Sequence, residues 1–201
     1  MGLSKEFMSE IYGNMSKEEL ISAATNDIKD LTPEALEALL EELARRGLSK
    51  KMDHAVKVQQ KVLTAAEFCS YIDLVRQLPC PVCLRTGNLL NGAVLAKIAT
   101  AVLFSSTHRE FLIACPDCLK EAIQNAGGIS MSMDFAGMIK GVVETARVMM
   151  ENKNSLSQVK TETPSDSLLY FIKKKIGEIE HYRDDKAKLE ELIRNADASF
   201  F

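Results

Sequence analysis

Apolar residues recur three and four positions apart along most of this chain, the spacing of one helix face, so its elements can be laid out from pattern alone. Leu20, Ile21, Ala24 and Ile28 follow Ser16 and Glu19, a Ser-x-x-Glu capping box. Leu36, Leu39, Leu40 and Leu43 then make an i, i+3, i+4, i+7 stripe. Thr32 stands at the N-cap of that stripe, Pro33 at the first helical position, and Glu34 where the helix dipole favours negative charge. Arg45 and Arg46 fall in its last turn and Gly47 takes the C′ place. Residues 1–50 therefore predict a helical hairpin. Ser49 is expected to cap a third, connecting helix over 51–77, with Met52, Val56, Leu63, Ala66, Cys69 and Ile72 at its apolar positions, before Pro79 prevents continuation. Cys69 in that pattern reads as a small buried apolar residue.

The period changes over 78–126. Leu84–Asn88 and Ser105–His108 read as turns, and Ala93–Phe104 fits either a strand or a helix. Phe111–Ala114 reads as a short strand and Leu119–Ala126 as a helix that Gly127-Gly128 ends. Residues 127–151 form an apolar, Met-rich helical segment with Met131, Met133, Met138, Met149 and Met150. Methionine fills core gaps more often than it builds a binding surface, and core is the expectation here. Residues 152–164, rich in Ser, Thr, Asn and Lys, read as a linker. Ser165 then caps a long C-terminal helix over 165–197 whose seam is Ile172, Ile176, Ile179, Tyr182, Leu189 and Ile193. That seam docks on the body or forms a homo-oligomer with another copy. The expected fold class is mainly α, with a small α+β metal module.

Composition narrows the picture further. The chain has 201 residues, no Trp and 6% aromatics, which points to aliphatic helix packing with enough apolar content for a core. A net charge of −3 argues against overall attraction to nucleic acid or anionic membrane. The N-terminus shows no basic segment followed by an apolar run, and Glu6 stands where a myristoylation motif wants Ser or Thr. Leu89–Phe104 is too short and carries Asn91 and Lys97, while Gly127–Met150 carries Asp134, Lys140, Glu144 and Arg147, so no transmembrane span is expected. A cytoplasmic, reducing setting follows from these features together.

The specific chemistry lies in two pairs, Cys80-Pro81-Val82-Cys83 and Cys115-Pro116-Asp117-Cys118. Two residues between cysteines let both sulfurs turn onto one cation, and two pairs complete the tetrahedral Cys₄ shell that Zn²⁺ prefers. A redox dithiol needs one pair only, disulfides suit small secreted scaffolds, and an Fe–S cluster uses the same ligand type. Structural zinc fits the spacing best. Four cysteines leave no open position for a water, so metal catalysis is not expected. His108 is the one nearby histidine that could serve as replacement ligand or base, whereas His54 and His181 sit in charged helical stretches and read as surface residues. No phosphate-binding Gly-rich loop, nucleophile elbow or His-Glu-x-x-His is present.

The Cys-Pro-x-Cys pairs resemble those of the zinc-ribbon and treble-clef families. The segment Leu31–Leu48 resembles a short helical module at the start of uncharacterised bacterial proteins, which implies no activity. Zinc ribbons often carry Gly just after the knuckle, where this chain has Leu84 and Leu119. Many such modules bind protein or nucleic acid, so the resemblance does not choose between them. The expected role is a structural-zinc interaction or adaptor protein without catalytic activity. The alternative is a nucleic-acid-binding regulatory protein, for which Arg85, Lys97, Arg109 and Lys120 give a slight local positive excess.

Overall fold

The computed structural model describes residues 4–26, 28, 31–101, 104–126, 138–159 and 162–197. Among them the chain is mainly helical, with one two-stranded antiparallel sheet. It divides into two compact units, Met1–Tyr71 with Ile172–Leu189, and Ile72–Phe171 with Glu190–Phe201.

In the first unit three helices, α1 (Lys5–Asn14), α2 (Lys17–Asn26) and α3 (Pro33–Arg45), stand where a hairpin was expected. The capping box forms as read: Glu19 accepts from the Ser16 amide at 2.7 Å, and Ser16 Oγ accepts from the Glu19 amide at 3.2 Å. Thr32 caps α3 through the Ala35 amide, and Gly47 adopts the left-handed φ of +71° that ends the helix. Helix α1 lay outside the sequence pattern because its apolar face is sparse. Tyr12 is its one fully buried side chain, and the Arg46 guanidinium, reaching the Met15 and Gly13 carbonyls at 2.7 and 2.9 Å, holds its C-terminal end. The core joins Leu20, Ala24, Ile28, Leu39, Leu43, Met52 and Val56.

The connecting helix is two helices, α4 (Ser49–Gln60) and α5 (Ala65–Arg76), separated at Lys61–Thr64. Ser49 is the first helical residue of α4 and makes no cap; Leu48 precedes it without a side-chain bond. The break has its own capping box, in which Glu67 accepts from the Thr64 amide at 2.9 Å and Thr64 Oγ1 accepts from the Glu67 amide at 3.3 Å. Cys69 is exposed, contrary to expectation. It lies two residues, about 200° of helix, from buried Tyr71, on the opposite side of α5.

The C-terminal run is likewise three helices, α8 (Asp166–Lys174), α9 (Ile176–His181) and α10 (Lys186–Arg194). Ser165 caps α8 as expected, and Asp185 caps α10 by accepting from the Lys188 amide at 3.1 Å. Asp184 and Asp185, which interrupt the apolar seam, therefore mark a break between α9 and α10. Ile172, Ile176, Ile179, Leu189 and Ile193 are buried within this single chain, as docking of the seam on the body requires. Within the first unit α9 packs on α2 and α4.

The second unit is built on a hairpin of β1 (Asn91–Ala101) and β2 (Phe104–Ala114), which settles the strand-or-helix choice. Ser105–His108, read as a turn, is part of β2, and pairs with Lys97–Thr100. Helices α6 (Pro116–Ala126) and α7 (Met138–Val159) pack against β1. The 152–164 linker is not one: helix α7 runs through it to Val159, and Asn152 is buried. Its polar residues satisfy the free edge of β1 instead. Asn152 pairs with both the amide and the carbonyl of Ala96, at 2.9 and 3.0 Å, Ser155 donates to the Val94 carbonyl, and Ser165 donates to that of Gly92. On β2, the Phe111 amide donates to Asp197. Side chains thus occupy edge groups that would otherwise recruit another strand. Phe111 stacks on Phe171 with ring centroids 5.7 Å apart. Met149 and Met150 are exposed, not core, and the neighbouring Val148 is the residue buried there; Met131, Met133 and Gly127-Gly128 lie outside the described residues.

Candidate metal centre

Both cysteine pairs sit at one end of the hairpin. The register pairs Asn91 with Ala114, so the residues that enter β1 and leave β2 meet there. The chain approaching Cys80 is fastened to that end, because the Leu90 amide donates to the Arg76 carbonyl at 2.8 Å and Arg76 Nε donates back to the Leu90 carbonyl at 3.1 Å. Arg76 is buried, and its remaining reach goes to the Glu162 carbonyl. The sequence reading missed this clasp, since an arginine in the last turn of a helix ordinarily reads as a solvated dipole partner.

The first pair forms a tight turn. The Leu84 amide donates to the Cys80 carbonyl at 2.8 Å and the Cys80 amide to the Arg85 carbonyl at 3.0 Å. Leu84 takes φ of +60°, the left-handed conformation that glycine usually supplies after a knuckle, so the turn forms despite the side chain. The second pair is on a different element. Cys115 precedes α6 and its carbonyl accepts from the Leu119 amide at 3.0 Å, which makes it the N-cap, with Pro116 at the first helical position and Cys118 one turn in. Leu119 is a buried helical residue and needs no glycine-like conformation.

The four Sγ atoms all lie within 4.8 Å of one another. A tetrahedral zinc with Zn–S bonds of about 2.3 Å requires sulfurs about 3.8 Å apart. Cys83 and Cys115 Sγ are 3.8 Å apart, far beyond the roughly 2.05 Å of a disulfide. The donor set, spacing and burial therefore fit a divalent metal such as zinc. Cys80 and Cys115 are buried, and Cys83 and Cys118 are half-buried, so the cluster has a dry side and a wetter one. Among the described residues this is the one group of three or more Cys, His, Asp or Glu side chains placed to hold a metal ion.

The electrostatics of the cluster suit a bound cation. Burial opposes ionisation of Cys80, but the backbone amides of Cys83, Cys115 and Val82 converge on its sulfur and bring its pKa down to about 7. The Cys115 amide bond to that sulfur is 3.3 Å. Burial pushes the Cys115 thiol up, and burial together with the Cys115 and Cys83 thiols pushes Cys118 well up. Burial and the neighbouring thiols thus oppose ionisation of Cys115 and Cys118, a cost that a bound cation would offset.

His108 is not part of this centre. It is exposed on β2, seven residues and about 23 Å of strand from Cys115. Lys97 pairs with Glu110, and Arg109 with Glu151 at 3.0 Å, so two of the four local cations carry acidic partners. His54 is exposed as expected, although its Nδ1 lies 2.7 Å from Glu180 in the first unit, where Tyr71 also donates to Glu180 at 2.8 Å. His181 is half-buried, with its ring against Tyr182, rather than a surface residue. No helix among the described residues is long and apolar enough to cross a membrane. Comparison of the chain with protein-family models, curated proteins and solved structures finds no match.

Proposed function

We propose that Cys80, Cys83, Cys115 and Cys118 hold one structural Zn²⁺, and that the chain is a zinc-stapled interaction protein with no reaction at the metal. The observation that carries this reading is the sulfur cluster itself, four thiols within 4.8 Å of one another, with one pair at the 3.8 Å of a tetrahedral zinc shell. Zinc bound there joins the turn to the helix and neutralises the thiolates. Lewis-acid catalysis needs an open coordination position, which four cysteines do not leave.

Knuckle, hairpin and helix follow one another in that order, and this favours a treble clef over a ribbon, in which both pairs would occupy turns. The thiol ligand set suits a reducing compartment such as the cytoplasm. Protein is the favoured partner over nucleic acid, because the pairing of Lys97 and Arg109 with carboxylates breaks up the basic patch that phosphate binding requires.

Elemental analysis of the purified reduced protein should find about one zinc per chain, lost on Cys→Ser substitution at any of the four positions. A well-folded preparation without metal, or substitutions that leave metal content intact, would overturn the assignment. Salt-sensitive binding of single- or double-stranded nucleic acid that disappears on Arg85→Glu would move the role to the nucleic-acid reading.

A further inference from the structure

The turn that carries the first cysteine pair, and the segment that leads from it into β1, present apolar side chains to solvent. Val82 and Leu84 in the turn are 56% and 70% exposed, and Leu89 in the following segment is 47% exposed. Leu84 holds a left-handed φ of +60°, which glycine or asparagine adopts with less strain. An aliphatic side chain kept in an unfavourable backbone conformation and pointed at water has no packing explanation among the described residues. Arg85 adjoins it. The turn uses the Arg85 carbonyl, which accepts from the Cys80 amide, and leaves the side chain exposed.

We propose that this tip, Val82, Leu84 and Leu89 beside Arg85, docks a short segment of a partner protein in which large apolar side chains adjoin a carboxylate. The inference rests on the reading of the chain as a zinc-stapled interaction protein. Size and charge choose the occupant. Three aliphatic side chains, each about half exposed or more, offer a small apolar surface, on the scale of the patches of roughly a few hundred Å² on ordinary monomers. A stable contact between folded partners, including a second copy of this chain, buries roughly 800 Å² on each side. A short peptide segment matches the smaller area. The Arg85 cation selects an acidic neighbour to the apolar anchors, and a charged group at the edge of an apolar contact confers specificity more than affinity. The zinc turn fixes the tip in advance, which lowers the ordering cost of binding a flexible segment.

The test uses the full chain with zinc bound, panned against a phage-displayed library of random dodecapeptides. Peptides that combine two or more large apolar residues with Asp or Glu should be enriched. Fluorescence anisotropy with a synthetic enriched peptide should show affinity falling at least about tenfold for Leu84→Asn and for Arg85→Glu, the range of an interface anchor. Asparagine suits the left-handed turn, and Arg85 contributes only its carbonyl to the fold, so both variants should keep their zinc. Replacing the peptide's acidic residue by Lys should restore binding to Arg85→Glu. No enrichment, or peptides whose affinity ignores both variants, overturns the proposal. Binding to vesicles of phosphatidylcholine and phosphatidylserine that these variants abolish, with no peptide selected, overturns it in favour of a lipid surface. Zinc content measured on every sample separates the two readings: a folded chain without zinc defeats the metal centre, whereas a zinc-bound chain with indifferent peptides defeats only the docking tip.

Discussion

Gly177, in the first turn of α9, offers a direct contest between helix propensity and packing. A Cβ added there would stand 2.4 Å from the Thr25 carbonyl oxygen and 2.3 Å from Gln59 Nε2. Neither neighbour yields easily. The carbonyl belongs to the backbone of α2, and Gln59 is buried with its amide donating to the Ala24 carbonyl at 2.8 Å and to the Ala55 carbonyl at 3.3 Å. Gly177→Ala gains about 1 kcal/mol in helix propensity. Against it stand overpacking of about 1–3 kcal/mol and, if Gln59 is driven aside, a buried donor left unpaired at about 1–3 kcal/mol. The expected net loss is about 2–4 kcal/mol, a fall in Tm of roughly 5–15 °C for a chain of this size. Thermal unfolding followed by far-ultraviolet circular dichroism reads it, with the Gly177→Ala, Gln59→Ala double variant recovering part of the loss. An unchanged or higher Tm would mean that α9 does not approach α2 this closely.

Two other outcomes follow from the hydrogen bonds. Asn152→Ala leaves the amide and carbonyl of Ala96 without their side-chain partner inside the fold, at about 1–3 kcal/mol for each group; hydrogen exchange at Ala96 should speed up, and unaltered protection would refute the edge role of Asn152. The Arg45 guanidinium, working against burial and helped by Arg46, holds the Glu42 pKa down to about 2 from an ordinary 4.5. A folded pKa below the unfolded one means that this contribution is complete above pH 4.5 and is lost as pH falls towards 2. Acid titration of Tm should therefore fall less steeply in that window for Glu42→Gln than for the unaltered chain, and identical slopes would refute the pairing.

What could be read from the residues depended on whether the signal was local. The Ser16–Glu19 box, the Thr32 cap, the Ser165 cap and the four cysteines all formed, because each is written within a few residues of sequence. The break at Lys61–Thr64 was equally local. Thr64-x-x-Glu67 is the same capping pattern as Ser16-x-x-Glu19, and apolar spacing that ran on past it obscured the stop. The false linker arose otherwise. Asn152 and Ser155 are polar because they face the backbone of a strand about sixty residues away, and composition cannot distinguish a sheet edge from water. Cys69 and the methionines show the same limit, since periodicity marks a stripe without saying which of its margins the rest of the chain covers.

The hairpin and the cysteine cluster specify one another. Between Cys83 and Cys115 lie the two strands, each of eleven residues, whose sole contribution to the metal centre is to return the chain to its starting point. A slip of one residue in their pairing would send Phe111 and Ile113 to the opposite face. It would also carry Cys115 about 3.3 Å along the strand. That shift is nearly the whole 3.8 Å that separates its sulfur from Cys83, so a slipped hairpin could not complete the shell. A bound metal therefore penalises the wrong register, and the packed register in turn brings the second pair onto the start of α6, where Cys115 N–H meets the Cys80 sulfur. Apolar burial and the proposed metal ligation would select the same alignment through different chemistry. This agreement explains how a two-stranded sheet, marginal by itself, can hold the sulfurs of four cysteines within 4.8 Å of one another.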